Sequence, residues 1–438
     1  MKKLTRTIAA VSALAMSVGA LSACGGSNVN ADKGHVYFLS MKVEQQDQFK
    51  ELAEKFTKKT GIQVDIATAS SDTYEQSLKS ELAKSEAPTL FDVDNNDFLN
   101  WTDYYADMSG TNIYKDQENP DYALKDGDTV GAVPYVMERY GIIYNKKLLQ
   151  KYFDSSWASI KSVDSINNFK TLKTVADEIQ AHKDEMGVKG AFTSAGFDSS
   201  SDWRFKTHLA NLPLYYEFKD DNVTEQPAKI KGTYLPNYKK IFDLYIADST
   251  TDPTQLSAKT GDDANSEFAL GEAAFYQNGT WAWTDLQKAG MKAESVGMMP
   301  IYTGVKGEEK QGLATGSENY WCINDKASDA DKKATEDFLS WVITSDTGKK
   351  AISQDMGFTT PFKTFDDVKF DNPLTEAAVE DQKSGKTQVS WNFTMMPSEE
   401  WKNKVGQALL EYAQGTGKWD AVKTAFVDGW ASEYEASH

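Results

Sequence analysis

At 438 residues the chain is longer than one hydrophobic core ordinarily encloses, so two domains are the starting expectation. Hydrophobic residues make up 40% and charged residues 26%, the balance of a soluble globular protein. With 65 Asp and Glu against 47 Lys and Arg the formal charge is −18, which argues against nucleic acid or anionic lipid as the main partner.

The N-terminus carries the most specific local signal. Lys2, Lys3 and Arg6 are followed by an apolar, small-residue stretch from Ile8 to Leu21, which closes on Leu21-Ser22-Ala23-Cys24. A basic start, a short apolar run and small residues before a cleavage point make a secretory signal, and the run is too short for a membrane span. Leu-Ser-Ala-Cys resembles the bacterial lipobox, in which the cysteine receives a diacylglyceryl group. Residues 1–23 are then a lipoprotein signal peptide, Cys24 is the lipidation site, and 24–34 are a polar tether. Cys322 is then the one other thiol, so no intrachain disulfide is expected, and its apolar neighbours predict burial. The four histidines (His35, His182, His208 and His438) have no metal-ligand spacing, and neither a metal nor a cofactor is expected.

Val36–Leu39 is an apolar run that reads as a buried strand. A helix follows from Gln45 to Thr60, with Phe49, Leu52, Ala53 and Phe56 on one face and Gly61 as its stop. Ile62–Ile66 alternates as a second strand, and Ser71-Asp72 caps a helix bearing Tyr74, Leu78 and Leu82. Thr89–Val93 is a third strand. This β-α-β-α-β order predicts a parallel sheet whose ligands sit beyond the carboxyl ends of its strands, near Lys42, Glu44 and Asp94–Asp97. No glycine-rich phosphate fingerprint follows the first strand. Farther on, a strand runs to Pro134-Tyr135, a polar break falls at Glu138-Arg139, and a second strand enters a helix at Lys146. Helical patterns lie near Leu172–Ile179, Tyr238–Ile246 and Glu267–Leu270, with a strand at Ser295–Pro300. A later helix carries Ala334, Phe338, Trp341 and Val342. Two C-terminal helices are marked by Trp401, Val405, Leu409 and Tyr412, then by Val422, Ala425, Phe426 and Trp430.

Three blocks in this order resemble a known family. Gly131-Ala-Val-Pro-Tyr through Tyr140-Gly-Ile-Ile-Tyr-Asn-Lys146, Glu267-Phe268 through Asn278-Gly-Thr-Trp-Ala-Trp283, and Asp337-Phe-Leu-Ser-Trp341 through Gly357 and Pro361 are similar to conserved blocks of the family 1 extracellular solute-binding proteins, the relatives of maltose-binding protein. The resemblance runs from about Val36 to Trp430. It implies an α/β fold of two lobes, of the kind found in periplasmic binding proteins, joined by a hinge and closing on a ligand in the interlobe cleft. The N-terminal lobe is then 35–136 plus 302–360 and the C-terminal lobe 141–298 plus 365–438, with crossings near Met137–Tyr140, Met299–Tyr302 and Pro361–Thr364.

By the same resemblance Trp281 takes the place of a ring that stacks on a sugar face, and Glu138 that of a carboxylate holding sugar hydroxyls. Asn95 and Asn96 fall at polar ligand positions, Lys42 and Glu44 follow the first strand, and Trp203, Trp391 and Asn392 fall near further contacts. Arg139 and Arg204 have no counterpart. Stacking suits a pyranose, whose C–H face is apolar and whose rim is hydroxylated, and amides and carboxylates pair with that rim. Trp283, Trp321, Trp341 and Trp430 read as core. The implied function is binding of a carbohydrate, an oligosaccharide given several tryptophans, and its delivery to the permease of an ABC importer. The protein is then a monomer at the outer face of the membrane, touching lipid through its anchor only, with no enzymatic activity. The alternatives are a polyamine, peptide or metal in the same fold, or a secreted glycoside hydrolase, for which no triad, nucleophile elbow or metal motif is present.

Overall fold

The computed structural model describes residues 33–437 except 70, 96, 194, 195, 199 and 200, and without the side chains of Glu44, Ser71 and Asp72. The signal, Cys24, Asn96, His438 and the cap at Ser71-Asp72 thus lie outside the described residues.

The described strands, in chain order, are β1 (His35–Ser40), β2 (Gln63–Thr68), β3 (Leu90–Val93), β4 (Leu124–Asp126), β5 (Thr129–Pro134), β6 (Glu138–Asn145), β7 (Gly190–Phe192), β8 (Ala273–Gly279), β9 (Val296–Met299), β10 (Gln311–Gly316), β11 (Tyr320–Ile323) and β12 (Thr387–Ser390). They form two mixed sheets. The first has the order β2-β1-β3-β11-β5-β4, with β1 parallel to β2 and β3, and β11 antiparallel to both β3 and β5. The second has the order β12-β10-β6-β8-β7, and β9 pairs with β6 beside that path.

The local signals produce these elements for the reasons the sequence offers. In the helix Gln46–Thr60 the four apolar positions Phe49, Leu52, Ala53 and Phe56 are all buried, and Gly61 ends it at φ 76, where a side chain would be strained. Strand alternation then sorts residues between faces of the first sheet. Phe38 packs with Phe49, Phe56 and Phe338 on one face, while Leu39 packs with Tyr74, Leu78 and Phe91 on the other. In the second sheet Tyr140 and Ile142 enter the large core with Phe205, Tyr238, Trp401 and Trp430, and Ile143 faces Phe268, Leu313 and Leu374. Each such side chain contributes about 1.5–3 kcal/mol by leaving water.

The chain passes between the sheets at places that differ from the sequence reading. Glu138 and Arg139 are no break: they open β6 and are buried, and the turn is Tyr135–Met137. Both polar side chains tolerate burial because each finds a partner, Lys42 for Glu138 and Gln382 for Arg139. Ile301 and Tyr302 pack in the core of the second sheet, so no crossing lies at Met299–Tyr302. The segment Gln311–Gly316, assigned from sequence to the first lobe, is β10 of the second sheet, and the chain crosses at 317–319 instead. Phe362 and Phe365 still belong to the first core and Leu374 to the core on the other sheet, which places the last passage after Pro361–Thr364. Trp283, Trp321 and Trp430 are buried as expected, and so is Cys322, but Trp341 is half-buried.

Asn145 ends β6 and caps the next helix, accepting from the amides of Lys147 and Leu148 at 3.1 and 3.2 Å. Asn145→Ala removes both bonds and should lower the unfolding free energy by about 1 kcal/mol, read as a lower urea midpoint with an unchanged slope.

Candidate ligand site between the two sheets

Lys42 leaves the carboxyl end of β1, and Glu138 starts β6 in the other sheet. Their ion pair is 2.8 Å long, with the side chains 16% and 8% exposed. Asn319, in the second crossing, approaches the other Glu138 oxygen at 3.5 Å. Lys42 also lies 5.9 Å over the Phe358 ring. A pair this deep gains little net stability, since desolvation offsets the attraction, but loss of either member would strand a buried charge. It fixes how the ends of the two sheets face each other. Asn95, just beyond β3, donates from Nδ2 to the Ser317 carbonyl at 2.8 Å, and its buried Oδ1 has no partner among the described residues.

The three tryptophans named from sequence come together. Trp203 and Trp281 have ring centroids 5.9 Å apart, and Trp281 and Trp391 6.5 Å apart. Tyr140 lies 6.0 Å behind Trp281, nearly parallel to it at 24°. His208 sits among them, with centroids 4.4 Å from Tyr140 and 5.0 Å from both Trp203 and Trp391. Burial, with Lys402 adding to it, pushes the imidazole down to about 3, so it is neutral in this aromatic setting. Two glycines seat the rings. A Cβ on Gly279 would stand 2.0 Å from the Trp281 ring, and one on Gly316 would stand 2.6 Å from the Trp391 ring. Asn392 is engaged locally: its amide and Nδ2 both donate to Asn211 Oδ1, at 2.7 and 3.3 Å, and Nδ2 also reaches the Ser390 carbonyl at 3.1 Å. Its donors hold the Trp391 loop onto the helix that begins at Asn211.

A cavity of about 810 Å³ adjoins this cluster, within the size of small-molecule sites. One side is built by residues of the first sheet's half (Asn95, Tyr122, Tyr320, Thr360), the other by the second's (Arg139, Gln382, Gln388, Trp391). Of the expected residues, Asn95 and Trp391 line it. Trp203, Trp281, Lys42, Glu138 and Asn392 stand outside its wall, and nothing is described for Asn96 or the Glu44 side chain. Arg139 was without a role in the sequence. It is 6% exposed, donates from Nη2 to Gln382 Oε1 at 3.0 Å, and keeps Nη1 without a partner among the described residues. The buried Thr360 hydroxyl and the Trp391 indole N–H on this wall also have no partner among the described residues. Such groups are those a hydroxylated ligand would satisfy. Alternation in β6 was the available signal: Arg139 must face away from Glu138, toward the opposite side of the strand.

A family model described as bacterial extracellular solute-binding protein matches residues 51–380. The melibiose/raffinose/stachyose-binding protein MelE of Bacillus subtilis (strain 168) is 25% identical over 222 residues, 49% of this chain and 48% of that protein. The chain thus aligns with about half the length of that curated relative. Among solved structures, the solute-binding protein RafE in complex with raffinose is similar with a TM-score of 0.70 at 17% identity, covering 91% of this chain and 99% of that one. The GacH receptor of Streptomyces glaucescens is similar with a TM-score of 0.69 at 17% identity, covering 92% and 99%. At these identities the likeness shows the fold, an α/β periplasmic-binding-protein architecture.

Beneath Lys42 lies a fully buried carboxyl. Asp92, in β3, accepts from Ser40 Oγ at 2.7 Å, from the Met41 amide at 2.8 Å and from the Tyr135 hydroxyl at 3.2 Å, all on one oxygen, while the other has no partner among the described residues. Burial outweighs these bonds and the nearby Lys42 charge, and pushes the group up to about 7 from an ordinary 3.8. The folded protein therefore keeps a proton that the unfolded chain gives up. Stability from this source is complete below the unfolded value and is lost as pH rises through about 7. Burial also raises Asp97 and Asp248 to about 7, with Asp94 and Asp177 respectively adding to it. Urea unfolding between pH 5 and 8 should show stability falling with pH. In Asp92→Asn, which carries the neutral form permanently, that fall should be shallower, and an unaltered slope would mean that Asp92 is ionised throughout.

Proposed function

We propose that this chain, which belongs to the bacterial extracellular solute-binding protein family, captures a neutral oligosaccharide between its two lobes and delivers it to the permease of an ABC importer. Membership makes it a binding protein rather than an enzyme. The observation that carries the carbohydrate reading is the convergence of Trp203, Trp281 and Trp391, from three distant segments, beside a cavity edged with amides, hydroxyls and a buried guanidinium. Rings bind the apolar faces of sugars, and the polar edge pairs with their hydroxyls. His208, set among the rings, is neutral, and the charged residues on the cavity wall carry both signs, Arg139 and Lys383 against Glu118, Asp121 and Asp366, so no single-sign field dominates. That arrangement suits a neutral polyol better than a polyamine or an anion.

The lobes in this reading are the halves built on the two sheets, 33–134 with 320–365 and 138–316 with 374–437. They rotate about the passages at 135–137, 317–319 and 366–373. Closure brings the lobes together on the sugar, and the Lys42–Glu138 pair belongs to the closed arrangement. MelE is named for melibiose, raffinose and stachyose, and RafE was solved with raffinose, so these oligosaccharides are the first to test. Cys24 anchors the protein outside the membrane by its lipid. Among the described residues no helix is long and apolar enough to cross a membrane.

Calorimetric titration against raffinose, stachyose and chitin or maltose oligosaccharides should yield saturable binding by one class. Trp281→Ala should then weaken it by about 2 kcal/mol, roughly 30-fold, while near-ultraviolet signals away from the cluster and the urea midpoint stay close to the parent. Equal affinity in the variant would remove Trp281 from the site. Cell fractionation tests the anchor separately: Cys24→Ser should move the protein from membrane to medium, whereas retention would refute lipidation at Cys24.

A further inference from the structure

The pole of the first lobe remote from the cavity carries a groove that the transport reading leaves unexplained. It is open, about 450 Å³, and lined by Lys55, Lys58, Lys59 and Lys350, with Trp341 at its base and Asp355 as its one acidic residue. In a chain of charge −18 this is a local inversion of sign. Lys55 pairs with Glu51 and Lys350 with Asp355, whereas Lys58 and Lys59 are exposed and form no ion pair among the described residues. Lys59 lies 5.8 Å over the Trp341 ring, and the Trp341 indole N–H is buried without a partner among the described residues. Lysines in a last helical turn suit the helix dipole, which covers Lys58 and Lys59 and also Lys350 at the end of Asp346–Lys350, but it does not account for their convergence on a half-open tryptophan.

The position of the groove identifies what it meets. The helix Gln46–Thr60 begins near the Lys42 end of β1 and runs away from the cavity for about 22 Å, so its last turn lies at the opposite pole. The chain enters the folded domain at that same turn: Lys33 Nζ donates to the Thr60 carbonyl at 2.9 Å, and the His35 amide to Asp331. From Cys24 to Lys33 nine peptide units can span at most about 30 Å. An anchored Cys24 therefore keeps this pole within reach of the lipid headgroups.

We propose that the Lys55–Lys59 and Lys350 groove docks on anionic phospholipid headgroups, holding the lobe by its far pole while the protein is not engaged with the permease. The proposal rests on the Cys24 anchor for its orientation but not for its chemistry. Each lysine near an anionic surface adds about 1 kcal/mol, and a half-buried tryptophan suits the headgroup level. The tether makes even a weak contact effective by keeping the local lipid concentration high.

Vesicle co-sedimentation of the mature chain carrying Cys24→Ser separates the groove from the anchor. The chain should bind phosphatidylglycerol vesicles, bind phosphatidylcholine vesicles far less, and be released by high salt. Lys58→Gln/Lys59→Gln should weaken binding by at least about tenfold. The same change at two exposed lysines of the other half, Lys288→Gln/Lys292→Gln, should leave it nearly unchanged. Equal sedimentation with both lipids, equal loss in both double variants, or displacement by inorganic phosphate at matched phosphate concentration would each overturn the proposal. All these proteins lack Cys24, so their result is independent of whether Cys24 is lipidated; fractionation of the parent chain answers that separately.

Discussion

The architecture depends on a stretch of backbone that must pass from one sheet to the other within three buried residues. Buried amides need partners, and no regular ladder exists between sheets to supply them. The other passages supply them instead. The Tyr135 amide donates to the Asn319 carbonyl in the second crossing, and the Met137 amide to the Thr359 carbonyl, which lies shortly before the third. Once these bonds form, all three passages are held against one another. The two cores can then be built independently on either side of them, and the space left between them is the cavity. The Lys42–Glu138 pair adds charge to the same junction, at its edge rather than in its centre.

Much of this was written locally in the sequence. Apolar runs and helical spacing gave the first three strands, the helix at Gln46–Thr60 and the two C-terminal helices, because their burial depends on neighbours within one or two turns. The junction was not legible. Glu138 and Arg139 look like a polar interruption, and what lets them lie buried in a strand is Lys42 and Gln382, 96 and 243 residues away. The second crossing lies at 317–319 and not at Met299–Tyr302 for a similar reason. Ile301 and Tyr302 are apolar, and nothing local says which of two cores will take them. Short edge strands such as β12, with Val389 as its one fully buried side chain, offer too few alternations to be seen at all.

The site shows the same division between type and place. Tryptophan, asparagine and glutamate were recognisable as the chemistry of a sugar contact, and three of the rings do meet. Which of them faces open volume depends on tertiary detail: Trp391 and Asn95 do, while Trp281 backs onto Tyr140 and Glu138 is occupied by Lys42. Arg139, the residue without a family counterpart, turns out to be a wall of the cavity. Charge averaged over the chain was equally uninformative about its surface, since a strongly acidic protein holds four lysines around one tryptophan at the pole where the chain emerges.

The glycines beneath Trp281 and Trp391 have a thermodynamic consequence. Each ring lies where a single added carbon on Gly279 or Gly316 would collide with it, so each indole is held against bare backbone by close packing. Rings set in this way before a ligand arrives lose little rotamer freedom when it does, and the affinity they provide is correspondingly little diminished by ordering. It also makes them hard to retune. A change of cargo over evolutionary time would have to proceed through the hydrogen-bonding edge, where Gln382, Gln388 and Thr360 can be exchanged one at a time, and not through the rings, whose positions are set by residues that can only be glycine.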